Sequence, residues 1–220
     1  MIERIYADTG VADHAPTKRP NRRGEQTRQR LVAAATECFA EYGYSRTRVS
    51  DIVSRAGTAQ GNFYRHFSSL DHLFLEVIRP GLEDLVAAST KRAGQDADLA
   101  SLVDSNIACL RAYARRRHAV RLLREAATAS ANDGFERLWT RMRDDFVSRI
   151  HHWLDDLARG GAIVEGDHTL LAEMLVCLTE QFAYVHIALP SSTPRPERLV
   201  ELGTALGQAW FGMLPRIASA

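Results

Sequence analysis

Apolar residues recur along this chain at intervals of three and four, the spacing that lines one face of an α-helix. Leu31, Ala35, Cys38, Phe39 and Tyr42 form such a stripe, which predicts a helix over 25–42 ended by Gly43. Val49, Ile52, Val53 and Ala56 predict a short helix closed at Ala56-Gly57, because glycine enters the left-handed conformation that ends a helix at little cost. Only Thr58 and Ala59 separate it from a second short helix beginning near Gln60, whose Phe63 and Phe67 are four apart and share a face. Ser68-Ser69 then offers a hydroxyl cap for a helix carrying Leu73, Phe74, Val77 and Ile78, kinked by Pro80, continued by Leu82, Leu85 and Val86, and fading near Gly94.

The same period continues beyond. A helix is expected over 99–117, its Arg115-Arg116-Arg117-His118 cluster suiting a C-terminus, followed by a short one over 119–130. Asn132-Asp133-Gly134 breaks the chain ahead of a long helix to Arg159, with Phe135, Leu138, Trp139, Met142, Phe146, Ile150, Trp153 and Leu157 on one side and Gly160-Gly161 as its stop. The last two helices are expected over 169–189 and 197–214. No stretch alternates like a strand, so the fold class is all-α.

Charge changes the picture only when it is divided. The whole chain of 220 residues nets +1, yet residues 15–67 hold ten Lys/Arg against four acids, Glu25, Glu37, Glu41 and Asp51. Positive charge is therefore concentrated around the two short helices, where it would attract phosphates. Residues 1–22 lack periodicity, contain Pro16 and Pro20, and end in a basic KRPNRR run, which predicts a disordered tail, either a solvated leader or an arm able to lie along phosphates. Three scattered cysteines, Cys38, Cys109 and Cys177, fit reduced thiols. The absence of a signal-like start and of a membrane-length apolar run favours a cytoplasmic protein with no membrane partner.

Between Phe63 and Phe67 stand Asn62, Tyr64, Arg65 and His66, whose amide, phenol, guanidinium and imidazole suit a helix inserted in a DNA major groove. An ordinary helical hairpin with a solvated face fits the spacing equally well.

From Thr27 to Leu73 the residues Ala34-Ala35, Phe39, Gly43-Tyr44, Thr47, Val49, Asp51-Ile52, Ala56-Gly57, Gly61, Tyr64, His66-Phe67, Ser69 and Leu73 resemble the DNA-binding domain of the TetR (tetracycline repressor) family of bacterial transcription regulators. The resemblance implies a three-helix helix-turn-helix domain over 23–70 and a helical ligand-binding and dimerisation domain over 71–220. Carried over, it implies that Thr47 and Arg48 hold phosphates, that Thr58, Ala59, Gln60 and Asn62 face the groove, and that Tyr64 and His66 reach the backbone. Gln60 and Asn62 are the candidates for base readout, since a side-chain amide pairs bidentately with adenine. Arg65 suits either guanine or phosphate, and Gly61 permits close backbone approach. Two departures stand out: the hydroxyl usual at Ala59 has moved to Thr58, making Thr58 the expected cap, and Leu70 replaces a phosphate-holding lysine.

The resemblance also implies a homodimer on an inverted-repeat operator and an unidentified small-molecule ligand. Leu199, Leu202, Leu206, Trp210 and Met213 form a stripe on the last helix with Gly203 and Gly207, and Leu171, Leu175, Leu178 and Phe182 form another on the helix before it; together these are expected to build half of a four-helix dimer interface. Trp139, Phe146 and Tyr184, with Arg124 and Gln181 as polar tips, are the candidate lining of an apolar ligand pocket, although each also fits plain core packing. Adjacent His151 and His152 point to different sides of a helix and make a poor metal pair. No nucleophile elbow, metal-spaced set or Gly-rich phosphate loop is present, so neither enzyme activity nor a cofactor is expected. The expected function is a DNA-binding regulator, a repressor released by a largely apolar ligand; the alternative is an activator or architectural DNA-binding protein without an inducer.

Overall fold

The structure is a computed structural model that describes residues 22–90, 97–129 and 133–216. Among them are nine α-helices and no strand: α1 (Arg22–Tyr42), α2 (Val49–Arg55), α3 (Gln60–His66), α4 (Leu70–Thr90), α5 (Leu99–Arg115), α6 (Arg117–Ala129), α7 (Asp133–Arg159), α8 (Thr169–Ala183) and α9 (Pro196–Met213). Apart from Arg22, which opens α1, the expected tail lies outside the described residues, as does the end expected near Gly94. The packing divides the chain into two compact units, Met1–Leu82 with His118–Thr140, and Glu83–Arg117 with Arg141–Ala220. This division is interleaved along the chain, whereas the one drawn from the motif falls between residues 70 and 71.

In the first unit, Leu31, Ala34, Ala35, Cys38 and Phe39 form the buried stripe of α1. Phe39, Tyr44, Phe74 and Phe135 meet in an aromatic cluster with ring centroids 4.5–6.1 Å apart, and the Tyr44 hydroxyl donates to Asp71. Gly43 ends α1 at φ +78, a conformation that favours glycine. Ser69 caps α4, its hydroxyl accepting from the His72 N–H at 3.1 Å.

In the second unit α9 lies directly on α5. A Cβ on Gly203 would come within 2.7 Å of Ile107 Cα, and one on Gly207 within 2.6 Å of Val103 Cα. Trp210 is buried beside Trp153 and donates its indole N–H to Thr179 at 3.0 Å. This corrects the expected dimer interface: Leu175, Leu199, Leu202, Gly203, Leu206, Gly207 and Trp210 are buried inside a single chain. The stripe and the small residues serve the α5–α9 contact, and those surfaces are already spent. Leu171, Leu178 and Phe182 are half-buried. The apolar side chains left outside on this segment are Leu170, Met174, Val185 and Leu189, 72%, 56%, 41% and 58% exposed.

Three further expectations are corrected. The helix expected to reach Leu189 is α-helical only to Ala183, then widens into a π-helical turn over Tyr184–Ala188. By length and composition, with a mean hydropathy of 1.3, Thr169–Ala188 is apolar enough to cross a membrane, contrary to the reading that no run qualifies. Its core-facing residues, Ala172, Leu175, Val176 and Ala183, pack inside the second unit. Finally, the arginine cluster does not close one helix. α5 ends at Arg115; Arg116 pairs with Asp84 on α4; and Arg117 opens α6, only 5% exposed. The Arg117 guanidinium donates to Ile187 O (3.3 Å), Pro190 O and Ser191 O (both 2.7 Å), satisfying carbonyls that the end of the π turn leaves free. Removing it strands those acceptors, so Arg117→Met is expected to cost about 3 kcal/mol in chemical denaturation. An unchanged midpoint would mean that the loop finds other donors.

Candidate nucleic-acid interface

The interface is built on how α2 ends. The Gly57 N–H donates to Ser54 O at 3.2 Å and the Thr58 N–H to Val53 O at 3.0 Å, with Gly57 at φ +61. These paired bonds close the helix end with a left-handed residue, a geometry that needs glycine. They also fix Thr58 as the last residue of the α2 cap, one place too early to cap α3. The N-cap of α3 is Ala59, which makes no side-chain bond, so the expected capping role of Thr58 is corrected. Its hydroxyl instead accepts from Asn62 Nδ2 at 2.9 Å.

Phe63 and Phe67, 0% and 1% exposed, anchor α3 from below. Arg28 from α1 lies over the Phe67 ring at 5.4 Å and pairs with Glu76 at 2.8 Å. With that face fixed, Gln60, Gly61, Tyr64 and Arg65 are exposed and Asn62 and His66 are half-buried. A Cβ at Gly61 would meet nothing within 4 Å, so the space above α3 is open to an incoming surface. Arg48 is exposed at the start of α2, where its backbone N–H donates to Asp51 at 2.9 Å.

Two polar residues have other jobs. Thr47 is buried, and its hydroxyl donates to Gly43 O at 2.6 Å, so the expected phosphate contact gives way to a brace at the end of α1. Arg55, which adds to the basic surplus by count, is paired with Glu41 at 2.6 Å and lies over the Tyr42 ring. That guanidinium holds the Glu41 carboxyl below its ordinary range. The positive field over α3 therefore rests on Arg48 and Arg65 more than the raw count suggested.

Burial, then Arg28, pushes the His66 imidazole below its ordinary 6.5, with Glu25 opposing and Arg65 adding. A depressed histidine favours the neutral form in the folded state, so its contribution is complete above 6.5 and is lost as pH falls through the folded value. Stability is expected to decline on acidification below pH 6.5, and His66→Gln should flatten that limb. An NMR titration placing His66 above 6.5 would refute the sign.

The five candidate ligand residues are not gathered in one unit. Arg124 and Trp139 belong to the first, and Phe146, Gln181 and Tyr184 to the second. Gln181 is exposed, and Phe146 is covered by the Arg149 guanidinium 4.9 Å from its ring. Arg149, paired with Asp145 at 2.6 Å on the next turn, was not singled out from sequence; an Asp-x-x-x-Arg pair on a helix was the available signal.

Comparison with known proteins bears on this arrangement directly. Residues 31–77 match the model of the bacterial regulatory proteins of the tetR family. The chain is similar to the transcriptional activator FasR of Mycolicibacterium smegmatis, 36% identical over 85 residues that cover 35% of this chain and 39% of that one. It is similar to the transcriptional repressor DhaR of a Mycobacterium species, 40% identical over 58 residues, 26% and 29% of the two chains. Similarity to the A-factor receptor protein of Streptomyces griseus is 34% over 209 residues, 89% of this chain and 65% of that one. Each of these matches spans less than two thirds of the relative's own length. Among solved structures, PfmR of Thermus thermophilus superposes with a TM-score of 0.65 at 19% identity, covering 83% of this chain and 97% of that one. A TetR regulator of Chloroflexus aurantiacus gives 0.64 at 23% identity, covering 90% and 100%. Residues 31–77 therefore carry the segment that marks the tetR family of bacterial regulatory proteins, on an all-helical fold shared with these structures.

Proposed function

We propose that this protein is a cytoplasmic, sequence-specific DNA-binding transcription regulator, without enzyme activity, that reads an inverted-repeat operator as a homodimer. The observation that carries the reading is α3: two buried aromatics anchor it, Gln60, Gly61, Tyr64 and Arg65 are exposed around it with Asn62 and His66 half-buried, and Arg48 is exposed at the start of α2. Amides at Gln60 and Asn62 supply base readout, while Arg48, Tyr64 and His66 supply phosphate contacts and register. Selection from a random duplex pool at fixed salt is expected to return a palindrome with half-sites spaced by about 34–36 Å or a multiple. Equal affinity for every duplex would refute the reading in favour of an architectural protein.

The second copy is assigned to the face of α8 and the following π turn that bears Leu170, Met174, Val185 and Leu189, exposed among the described residues. Leu170→Glu with Met174→Glu is expected to convert the dimer to a monomer in sedimentation; a dimer that persists would place the interface elsewhere. Regulation is assigned to a small, largely apolar ligand, whose preference for one head-to-head spacing must change DNA affinity by linkage. A panel of small hydrophobic compounds that shifts neither the melting temperature nor operator binding would remove the ligand from the proposal. DhaR is named a repressor and FasR an activator. Repression is the reading favoured for this chain, and transcription from the selected site with and without the protein decides the sign.

A further inference from the structure

The turn between α2 and α3 holds a pairing that the reading of α3 as a base reader does not by itself require. Thr58 Oγ1 accepts a hydrogen bond from Asn62 Nδ2 at 2.9 Å, across one helical turn, and both residues are half-buried. Thr58 itself is held by the α2 cap through its N–H to Val53 O, so the hydroxyl sits on a fixed backbone. We propose that Thr58 is a positioning residue that fixes the amide of Asn62 and thereby holds its outward donor–acceptor edge in the one orientation that meets adenine; this rests on α3 being the element that enters the major groove.

The chemistry follows from counting the groups on one amide. A primary amide carries two N–H donors and one carbonyl acceptor. When the N–H pointing away from the carbonyl is given to Thr58, the other N–H and Oδ1 remain side by side. That adjacent donor–acceptor pair matches adenine, whose N7 accepts and whose N6 amine donates. With the amide reversed, the Thr58 hydroxyl would donate to Oδ1, and the donor and acceptor left outward would exchange places. In that order the pair meets adenine N7 and N6 only from the opposite side. An alanine at 59 cannot compete for the amide, and the α3 N-cap makes no side-chain bond. The displaced hydroxyl therefore acts on the readout side chain rather than on the helix end.

The test is a binding-site selection with the full chain and its Asn62→Ala, Thr58→Val and Thr58→Ser variants at one salt concentration. The wild-type palindrome is expected to contain, in each half-site, one position where adenine is preferred by about tenfold or more. Asn62→Ala should relax that position alone. Thr58→Val keeps the branched shape and removes the acceptor; it should relax the same position, with the melting temperature and the remaining positions unchanged. Thr58→Ser restores an acceptor and should restore adenine. The inference is overturned if the position read by Asn62 is not adenine in the wild type, or if Thr58→Val keeps the full preference. A wild-type pool with no enriched site is a different failure, because it removes the base-reading role of α3 and this inference falls with it.

Discussion

Gly207→Ala is expected to destabilise the protein even though alanine is the better helix former. In mid-helix the exchange gains about 1 kcal/mol of intrinsic propensity. Against that, the new Cβ would stand 2.6 Å from Val103 Cα and 2.8 Å from Val103 N, backbone atoms of α5 that cannot rotate aside. Gly203 repeats the situation one turn earlier, 2.7 Å from Ile107 Cα and 2.8 Å from Ile107 N. Relief requires α9 to lift away from α5, which loosens the neighbours Leu202, Leu206 and Trp210, all less than 5% exposed. Overpacking of this kind costs about 1–3 kcal/mol per site and sometimes more, so the steric loss outweighs the propensity gain. The double variant Gly203→Ala with Gly207→Ala is expected to lose up to about 4 kcal/mol, and its melting temperature to fall by up to roughly 10 °C in a chain of this size. Gly212→Ala is the control, since a Cβ there meets nothing within 4 Å and only the propensity gain applies. If both glycine variants melted at or above the wild type, the close contact of α5 and α9 would be wrong.

That pair of glycines also marks the limit of what periodicity can say. A stripe of Leu199, Leu202, Leu206 and Trp210 shows that one face of α9 is buried; it carries no information about what covers it. Small residues four apart require a close helix neighbour, and a neighbour in the same chain satisfies that as well as one from a second copy. The helix-turn-helix was more legible because its constraints are local. Gly57 must take a positive φ to close α2, and Phe63 and Phe67 must share a face because they are four apart. The function of Thr58 was not legible, because a shift of one residue decides whether a hydroxyl meets a backbone N–H or a side-chain amide, and the α2 cap sets that register. Arg117 was hidden by its neighbours in a run of arginines; burial beneath the carbonyls of Ile187, Pro190 and Ser191 is a long-range event that charge spacing cannot reveal. The π turn at Tyr184–Ala188 leaves the three- and four-residue period nearly intact, so nothing in the pattern announces it.

The largest functional effect is expected from the double variant Gln60→Ala with Asn62→Ala. Gln60 is exposed and Asn62 half-buried, so the fold should survive: the anchors Phe63 and Phe67 are untouched, and the bond lost among the described residues is the one from Asn62 to Thr58. Each bidentate amide–base pair contributes about 1–3 kcal/mol of discrimination, so removing both should lower affinity for the selected operator by about 30-fold to 20,000-fold. Affinity for a scrambled duplex should scarcely change, because phosphate attraction through Arg48, Arg65 and the remaining basic residues is intact, and the dependence of log affinity on log salt should keep its slope. Arg48→Ala is the complementary case. Losing one phosphate contact should weaken operator and scrambled duplex by similar factors and reduce the salt slope by about one. Measuring operator and scrambled affinities for both variants at several salt concentrations therefore separates the groups that read sequence from those that supply attraction. If the double alanine variant lost affinity equally for both duplexes, Gln60 and Asn62 would be phosphate contacts, and base readout would have to come from Arg65 and Tyr64 instead.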